Sequence, residues 1–294
     1  MLLSGQKAFT LLELLVVITI IGVLSSIVVV SMSGSTDSAT IAKGKAYAQQ
    51  VHALLGSNAV GIWNFDEGTG DTVYDISGYG NDGTLAGDTH FVPSDIEGYA
   101  LSFDGTGDYV DITTNLSSYI TDEITIEMWI YPYLVPTSGH DYILNWYHTV
   151  SLTTSYQVCV GCGVFFCRID GISYPVYGKN IIPENEWMHI IGTREENIIR
   201  LYKNGILEGE GTNVSTGKID NATTLYIAQY PSAGYQFNGL IDEVRIYSEA
   251  LSATEIQKHY VQGLNNLLFN QAITKAEHDQ RMEEFKKHLS AKSI

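Results

Sequence analysis

Residues 124–131 read Ile124-Thr125-Ile126-Glu127-Met128-Trp129-Ile130-Tyr131. Aliphatic side chains alternate with other types, the period of two that a strand with one buried face requires. The same pattern recurs in Leu225-Tyr226-Ile227-Ala228 and in Leu240-Ile241-Asp242-Glu243-Val244-Arg245-Ile246-Tyr247. Arg200-Leu201-Tyr202-Lys203-Asn204-Gly205-Ile206-Leu207 reads as a hairpin, because Asn-Gly readily supplies two successive positive φ angles. The chain of 294 residues holds 28 Gly and 19 Tyr with only 17% charged residues, a composition suited to many short strands and tight turns. Helix signals are scarce until Ser252-Ala253-Thr254-Glu255, a capping box expected to open a short helix ending at Tyr260. From Leu264 to Leu289 the pattern predicts two short helices broken near Ile273-Thr274. Thr274-x-x-Glu277 would cap the second, with Met282, Phe285 and Leu289 as its apolar stripe.

Charge narrows the choice of partners. The net charge is −17, and the block from 56 to 262 carries 27 acidic against 8 basic side chains. Such a surface repels phosphate backbones, so nucleic acid is not an expected partner.

The N-terminus carries a separate signal. Phe9 to Met32 is almost wholly apolar, about 24 residues and long enough to cross a bilayer as a helix. It is longer than the core of an ordinary secretory signal. Glu13 interrupts it, and a carboxylate within an apolar span costs about 3 kcal/mol on insertion scales. Either Glu13 has a partner of opposite charge, or it reaches water at the membrane edge. Helical periodicity resumes through Ile41, Ala48, Val51 and Leu55, and Gly56 could end it.

The run Lys7-Ala8-Phe9-Thr10-Leu11-Leu12-Glu13-Leu14-Leu15-Val16-Val17 resembles the class III leader of type IV prepilins. That family implies cleavage between Ala8 and Phe9 by a prepilin peptidase, and methylation of the new amine. Ala8 departs from the glycine usual before the cut. The expected organisation is a leader at 1–8, a transmembrane and filament helix at 9–55, a globular domain at 57–262 and a helical tail at 263–294. Glu13 of one subunit would then neutralise the Phe9 ammonium of the next, since two charges in an apolar core are tolerable only as a pair. The partners implied are other pilin-like subunits, the peptidase and the membrane. The globular domain would stand outside the cytoplasm, on the cell surface or an extracellular filament.

A second resemblance covers about two hundred residues. Trp63-Asn64-Phe65-Asp66-Glu67-Gly68, Asp75-Ile76-Ser77-Gly78-Tyr79-Gly80-Asn81-Asp82-Gly83 and Leu101-Ser102-Phe103-Asp104-Gly105-Thr106-Gly107-Asp108-Tyr109-Val110 are followed by Trp187-Met188-His189, Asn204-Gly205 and Gly239 to Tyr247. In that order they resemble the laminin-G-like, concanavalin A-like jelly roll. The expected fold is mostly β, an antiparallel β-sandwich between a long N-terminal α-helix and a short helical tail. The family implies a binding or adhesion role, toward glycans or surface proteins, and often a structural Ca²⁺. Asp75, Asn81, Asp104 and Asp242 are the candidate calcium ligands, in Gly-rich turns where oxygens could converge; Asp and Asn are also simply good turn formers.

Further candidates are weaker. Cys159 and Cys167 flank a plausible hairpin turn at Gly161-Cys162-Gly163 and could form one disulfide, while the Cys159-x-x-Cys162 spacing leaves zinc open. Trp146, Tyr147 and Tyr156 are candidate ligand contacts, although aromatics also favour strands. Concanavalin A-like folds include glycosidases with paired carboxylates. Glu127 shows no sequence-paired partner, and His189 reads as an ordinary strand residue, so catalysis is not expected. The functional expectation is a pilin-like surface subunit displaying a lectin-like domain. A pseudopilin of a type II-like secretion system and a membrane-tethered glycan-active enzyme are the alternatives.

Overall fold

The computed structural model describes residues 58–291 apart from 114–115, 137–140, 148–154, 161–163, 170–171, 179–181, 213, 215–223 and 230–235. The expected leader, its cut between Ala8 and Phe9, Glu13 and the 9–55 helix lie outside the described residues. Among the described residues no helix is long and apolar enough to cross a membrane.

The strands, in chain order, are β1 Ala59–Trp63, β2 Thr72–Val73, β3 Gly83–Ala86, β4 His90–Pro93, β5 Tyr99–Asp104, β6 Tyr109–Thr113, β7 Glu123–Pro132 and β8 Asp141–Tyr147. They continue with β9 Ser155–Val160, β10 Val164–Ile169, β11 Ile172–Tyr177, β12 Met188–Glu195, β13 Ile198–Lys203, β14 Ile206–Gly211, β15 Thr224–Ile227 and β16 Asn238–Tyr247. Two helices follow, α1 Ala253–Phe269 and α2 Lys275–Ala291. One sheet runs β14-β13-β12-β7-β16-β5-β4, and β1 also pairs with β16. The other runs β11-β10-β9-β8-β15-β6-β3-β2. Along one edge of β16, β5 pairs with Asn238–Ile241 and β1 with Val244–Tyr247.

The alternation read from the sequence sorts the central strands. Ile126, Met128 and Ile130 of β7, with Ile241, Val244 and Ile246 of β16, face the second sheet. That sheet answers with Val110, Ile112, Leu144, Trp146, Val158, Leu225 and Ile227. Each such side chain contributes about 1.5–3 kcal/mol when fully buried. The Asn204-Gly205 hairpin has φ of 51° and 73°, the successive positive values expected for its turn.

The expectation of a strand with one open face is corrected. Ile124 to Ile130 are all buried, because the C-terminal helices cover the other face of the first sheet. Trp129 and Trp187 pack there with Tyr260, Leu264, Leu267, Ile273 and Phe285. The helix expected to stop at Tyr260 continues to Phe269, so the boundary placed at 262 cuts through α1, and the expected tail is a layer of the domain. Ser252 and Glu255 do form the capping box, and Thr274 and Glu277 exchange the same pair of bonds at the start of α2. Gly263 permits the close docking: a Cβ there would lie 2.1 Å from the Trp129 ring.

Candidate functional site

Between α1 and the first sheet lies a polar nest centred on Glu127, whose side chain is wholly inaccessible. Odd-numbered positions of β7 face the helices, so Glu127 and Trp129 point the same way. The register brings Arg245 of β16 opposite Glu127, and His189 of β12 opposite Trp129. His189 donates from Nε2 to the Glu127 carboxylate at 2.8 Å. His259 of α1 donates from Nδ1 at 3.0 Å, and the Tyr247 hydroxyl donates at 3.1 Å. Arg245 stands 3.6 Å away.

The electrostatics follow from these contacts. Burial pushes the Glu127 pKa up, but the His189 and His259 hydrogen bonds and the Arg245 charge outweigh it, holding the carboxyl well below its ordinary value. Glu127 is therefore an ionised acceptor. Burial lowers the pKa of His189 despite its bond to Glu127. A neutral His189 donating from Nε2 has a bare Nδ1, and that atom is buried with no hydrogen-bond partner among the described residues. Its ring stacks on Trp129 at 4.9 Å.

A cavity of about 210 Å³ opens above this nest. Sheet residues Trp129, Glu243, Arg245 and Tyr247 line one side, and His259, Gln262, Gly263 and Asn266 of α1 line the other. Ile96 and Glu97, from the β4–β5 turn, close one end. The β7–β16 pairing breaks between Asp242 and Arg245, and Glu243 takes φ of 53°. A non-glycine residue at such an angle is a strained position of the kind that concentrates at functional sites, costing on the order of 1–3 kcal/mol. The bulge turns Glu243 toward Arg245, and the two form an ion pair. Beside them Asp242 is buried and accepts from the Ser94 hydroxyl and the Glu243 amide. Burial first, and the neighbouring Glu243 charge second, push Asp242 well above its ordinary value.

The residues singled out from the sequence fall elsewhere. The four expected calcium ligands do not converge. Asp75 is fully buried, and its carboxylate accepts from the amides of Ile62, Ser77 and Asn81 and from the Asn81 side chain. Asn81 also donates to the Val60 carbonyl. This pair is a turn lock, with its oxygens already committed. Asp104 is exposed and accepts from Thr106 within its own turn. It pairs with Asn238, four residues along β16 from Asp242, about 13 Å at strand rise. Among the described residues no three or more His, Cys, Asp or Glu side chains cluster in a way that would hold a metal ion. These four residues do not fit calcium.

The aromatic candidates are also corrected. Trp146 and Tyr156 are fully buried in the inter-sheet core, and the Tyr156 hydroxyl accepts from Arg194 at 2.9 Å. Both are core residues without access to a ligand. Tyr147 ends β8, and its side chain lies outside the described residues. Cys159 is disulfide-bonded. In the β9–β10 ladder, however, Cys159 pairs with Val164 and Cys167 with Tyr156. Three residues of offset is about 10 Å, beyond the reach of roughly 7 Å between bridged Cα atoms. The expected Cys159–Cys167 bridge is not made by this register.

Sequence reading missed His189, Arg245, Tyr247 and His259 as a group. The available signal was Glu127 itself, a lone carboxylate in an apolar strand, with Arg245 in a second strand of the same pattern.

Two family models match the chain. Residues 104–257, just over half of it, match the concanavalin A-like lectin/glucanases superfamily. Residues 3–29 match the prokaryotic N-terminal methylation motif. A stretch of 93 residues is 30% identical to adhesion G-protein coupled receptor V1 of Danio rerio, covering 31% of this chain and 2% of that protein. Among solved structures, domain 4 of AbnA, a GH43 extracellular arabinanase from Geobacillus stearothermophilus, in complex with arabinotriose, superposes with a TM-score of 0.58 at 18% identity, over 69% of this chain and 98% of that one. The receptor-binding domain of botulinum neurotoxin C/D mosaic serotype gives 0.56 at 18%, over 70% and 52%. The binding domain of Paraclostridial Mosquitocidal Protein 1 gives 0.56 at 17%, over 71% and 53%. At these identities the likeness is one of fold.

Proposed function

This chain belongs to the concanavalin A-like lectin/glucanases superfamily and carries a prokaryotic N-terminal methylation motif, and on that premise we propose that it is a type IV pilin-like subunit displaying a non-catalytic, glycan-binding sandwich on the cell surface. The observation that carries this reading is the fusion itself. In the chain, a methylation motif at 3–29 precedes a β-sandwich with a polar cavity. The motif supports anchoring in the membrane and processing by a prepilin peptidase. The fold neighbours that carry arabinotriose or are named for receptor binding support a ligand-binding role for the sandwich. The nest around Glu127 is consistent with binding rather than turnover, because its carboxylate is sealed from any substrate by His189, His259 and Tyr247.

The decisive experiment is intact mass and N-terminal sequencing of the membrane-extracted protein, with recovery of the protein in sheared surface filaments. A methylated Phe9 terminus and recovery in the sheared fraction are expected. A chain still beginning at Met1 overturns the pilin reading. Correct processing without surface filaments, together with loss of a secreted protein on deletion, would instead assign a pseudopilin.

A further inference from the structure

We infer that the cavity between α1 and the first sheet is the ligand site, and that it takes one terminal residue of an uncharged glycan; this rests on the glycan-binding reading above. Size is the first reason. At about 210 Å³ the cavity is smaller than the roughly 300 Å³ at which pockets begin to enclose drug-sized molecules. It admits a single sugar ring, not an extended oligosaccharide.

The lining chemistry is the second. Gln262 and Asn266 sit one turn apart on α1 and so share a face. Their side chains, and that of Glu97 across the opening, make no hydrogen bond or ion pair among the described residues, yet all three line the cavity. Each amide offers a donor and an acceptor, and the carboxylate offers acceptors. That is the complement a ring of adjacent hydroxyls requires, since every hydroxyl both donates and accepts. Trp129 and Ile96 line the cavity at its base, with nearly all of their surface packed into the helix–sheet core. Beneath them Arg245 pairs with Glu243, and Tyr247 and His259 donate to Glu127. The floor is thus preorganised while the rim is free to bind.

Charge selects among sugars. Among the described lining residues Glu97 and Glu243 stand against one guanidinium, Arg245, and Glu127 lies directly below. A carboxylated sugar such as a sialic acid or a uronic acid would meet net repulsion at short range. A neutral ring does not.

The test is a glycan array probed with the full-length protein in a detergent without a sugar headgroup. Wild type is compared with a Gln262→Ala/Asn266→Ala double variant and, independently, with Glu97→Ala. All three positions are exposed or half-exposed and hold nothing else in place, so unchanged thermal unfolding is the folding control. Wild type should bind neutral glycans, and both variants should bind them at least tenfold more weakly. Equal binding by the variants would exclude this cavity while leaving a lectin-like domain intact. Binding confined to sialylated or uronate-bearing glycans would overturn the ligand class. No glycan binding by wild type would remove the glycan reading and this inference together.

Discussion

His259 of helix α1 donates a hydrogen bond at 3.0 Å to the buried carboxylate of Glu127 on strand β7. One end of that bond is on the central strand of the sandwich, and the other is on the helix that roofs the cavity. The geometry of the cavity therefore depends on an ionised group no solvent reaches.

Replacing Glu127 with Gln should destabilise the domain by about 3 kcal/mol, because breaking a buried charge network leaves its remaining members uncompensated. The amide would set its own donor against groups that now donate to the carboxylate. The pH dependence has a definite sign. The folded-state pKa is depressed, so the contribution is present above the ordinary glutamate value of 4.5 and is lost as pH falls through the folded value. The gap between wild type and Glu127→Gln, read by urea denaturation, should be constant near neutrality and shrink below about pH 4.5.

Asp242→Asn should act in the opposite sense. Burial and the Glu243 charge raise the Asp242 pKa, so its ionised form weakens the fold as pH rises above the ordinary aspartate value of 3.8. The amide escapes that cost and can still meet Ser94. The variant should melt about 3 °C above wild type at pH 7, as expected for roughly 1 kcal/mol in a domain of this size. The difference should vanish toward pH 4. A variant less stable than wild type at pH 7 would show that the Asp242 charge is stabilising.

Asp75→Ala should be among the most damaging single changes in the sandwich. It strands the buried amides of Ile62, Ser77 and Asn81, at about 1–3 kcal/mol for each unsatisfied group. With this carboxylate committed to backbone amides and the Asn81 side chain, excess calcium should not restore the loss. Urea curves with calcium and with chelator should superpose for the variant. Rescue by calcium would return Asp75 to the role of ligand.

Glu13→Val tests the filament. The change makes the span more apolar, so membrane insertion should be unimpaired. Assembly should fail, because the Phe9 ammonium of the adjoining subunit would be left unpaired, a loss of about 3–5 kcal/mol repeated at each subunit contact. The ratio of sheared to membrane-held protein at equal expression is the measurement. Equal ratios for the two proteins would mean that Glu13 is only a topological residue at the membrane edge.

The sequence by itself determined what short-range physics can specify. Alternation in Ile124–Tyr131 and Leu240–Tyr247 set the strands and the side chains that fill the inter-sheet core. Asn204-Gly205 set a hairpin through backbone angles alone, and Ser252 with Glu255 set a helix start through a bond spanning three residues. The run around Phe9 and Glu13 identified the methylation motif in the same local way. Only the tertiary structure decided which faces were covered. A period of two shows that Glu127 lies opposite Ile126 and Met128, but not that α1 closes over that face. His189, Arg245, Tyr247 and His259 reach Glu127 from 62, 118, 120 and 132 residues away. No local pattern encodes such separations; strand register and helix docking do. The same cause displaced the calcium and aromatic candidates. Whether an Asp in a turn binds a cation or caps three amides, and whether a Trp meets ligand or core, depends on neighbours that the chain brings together only by folding.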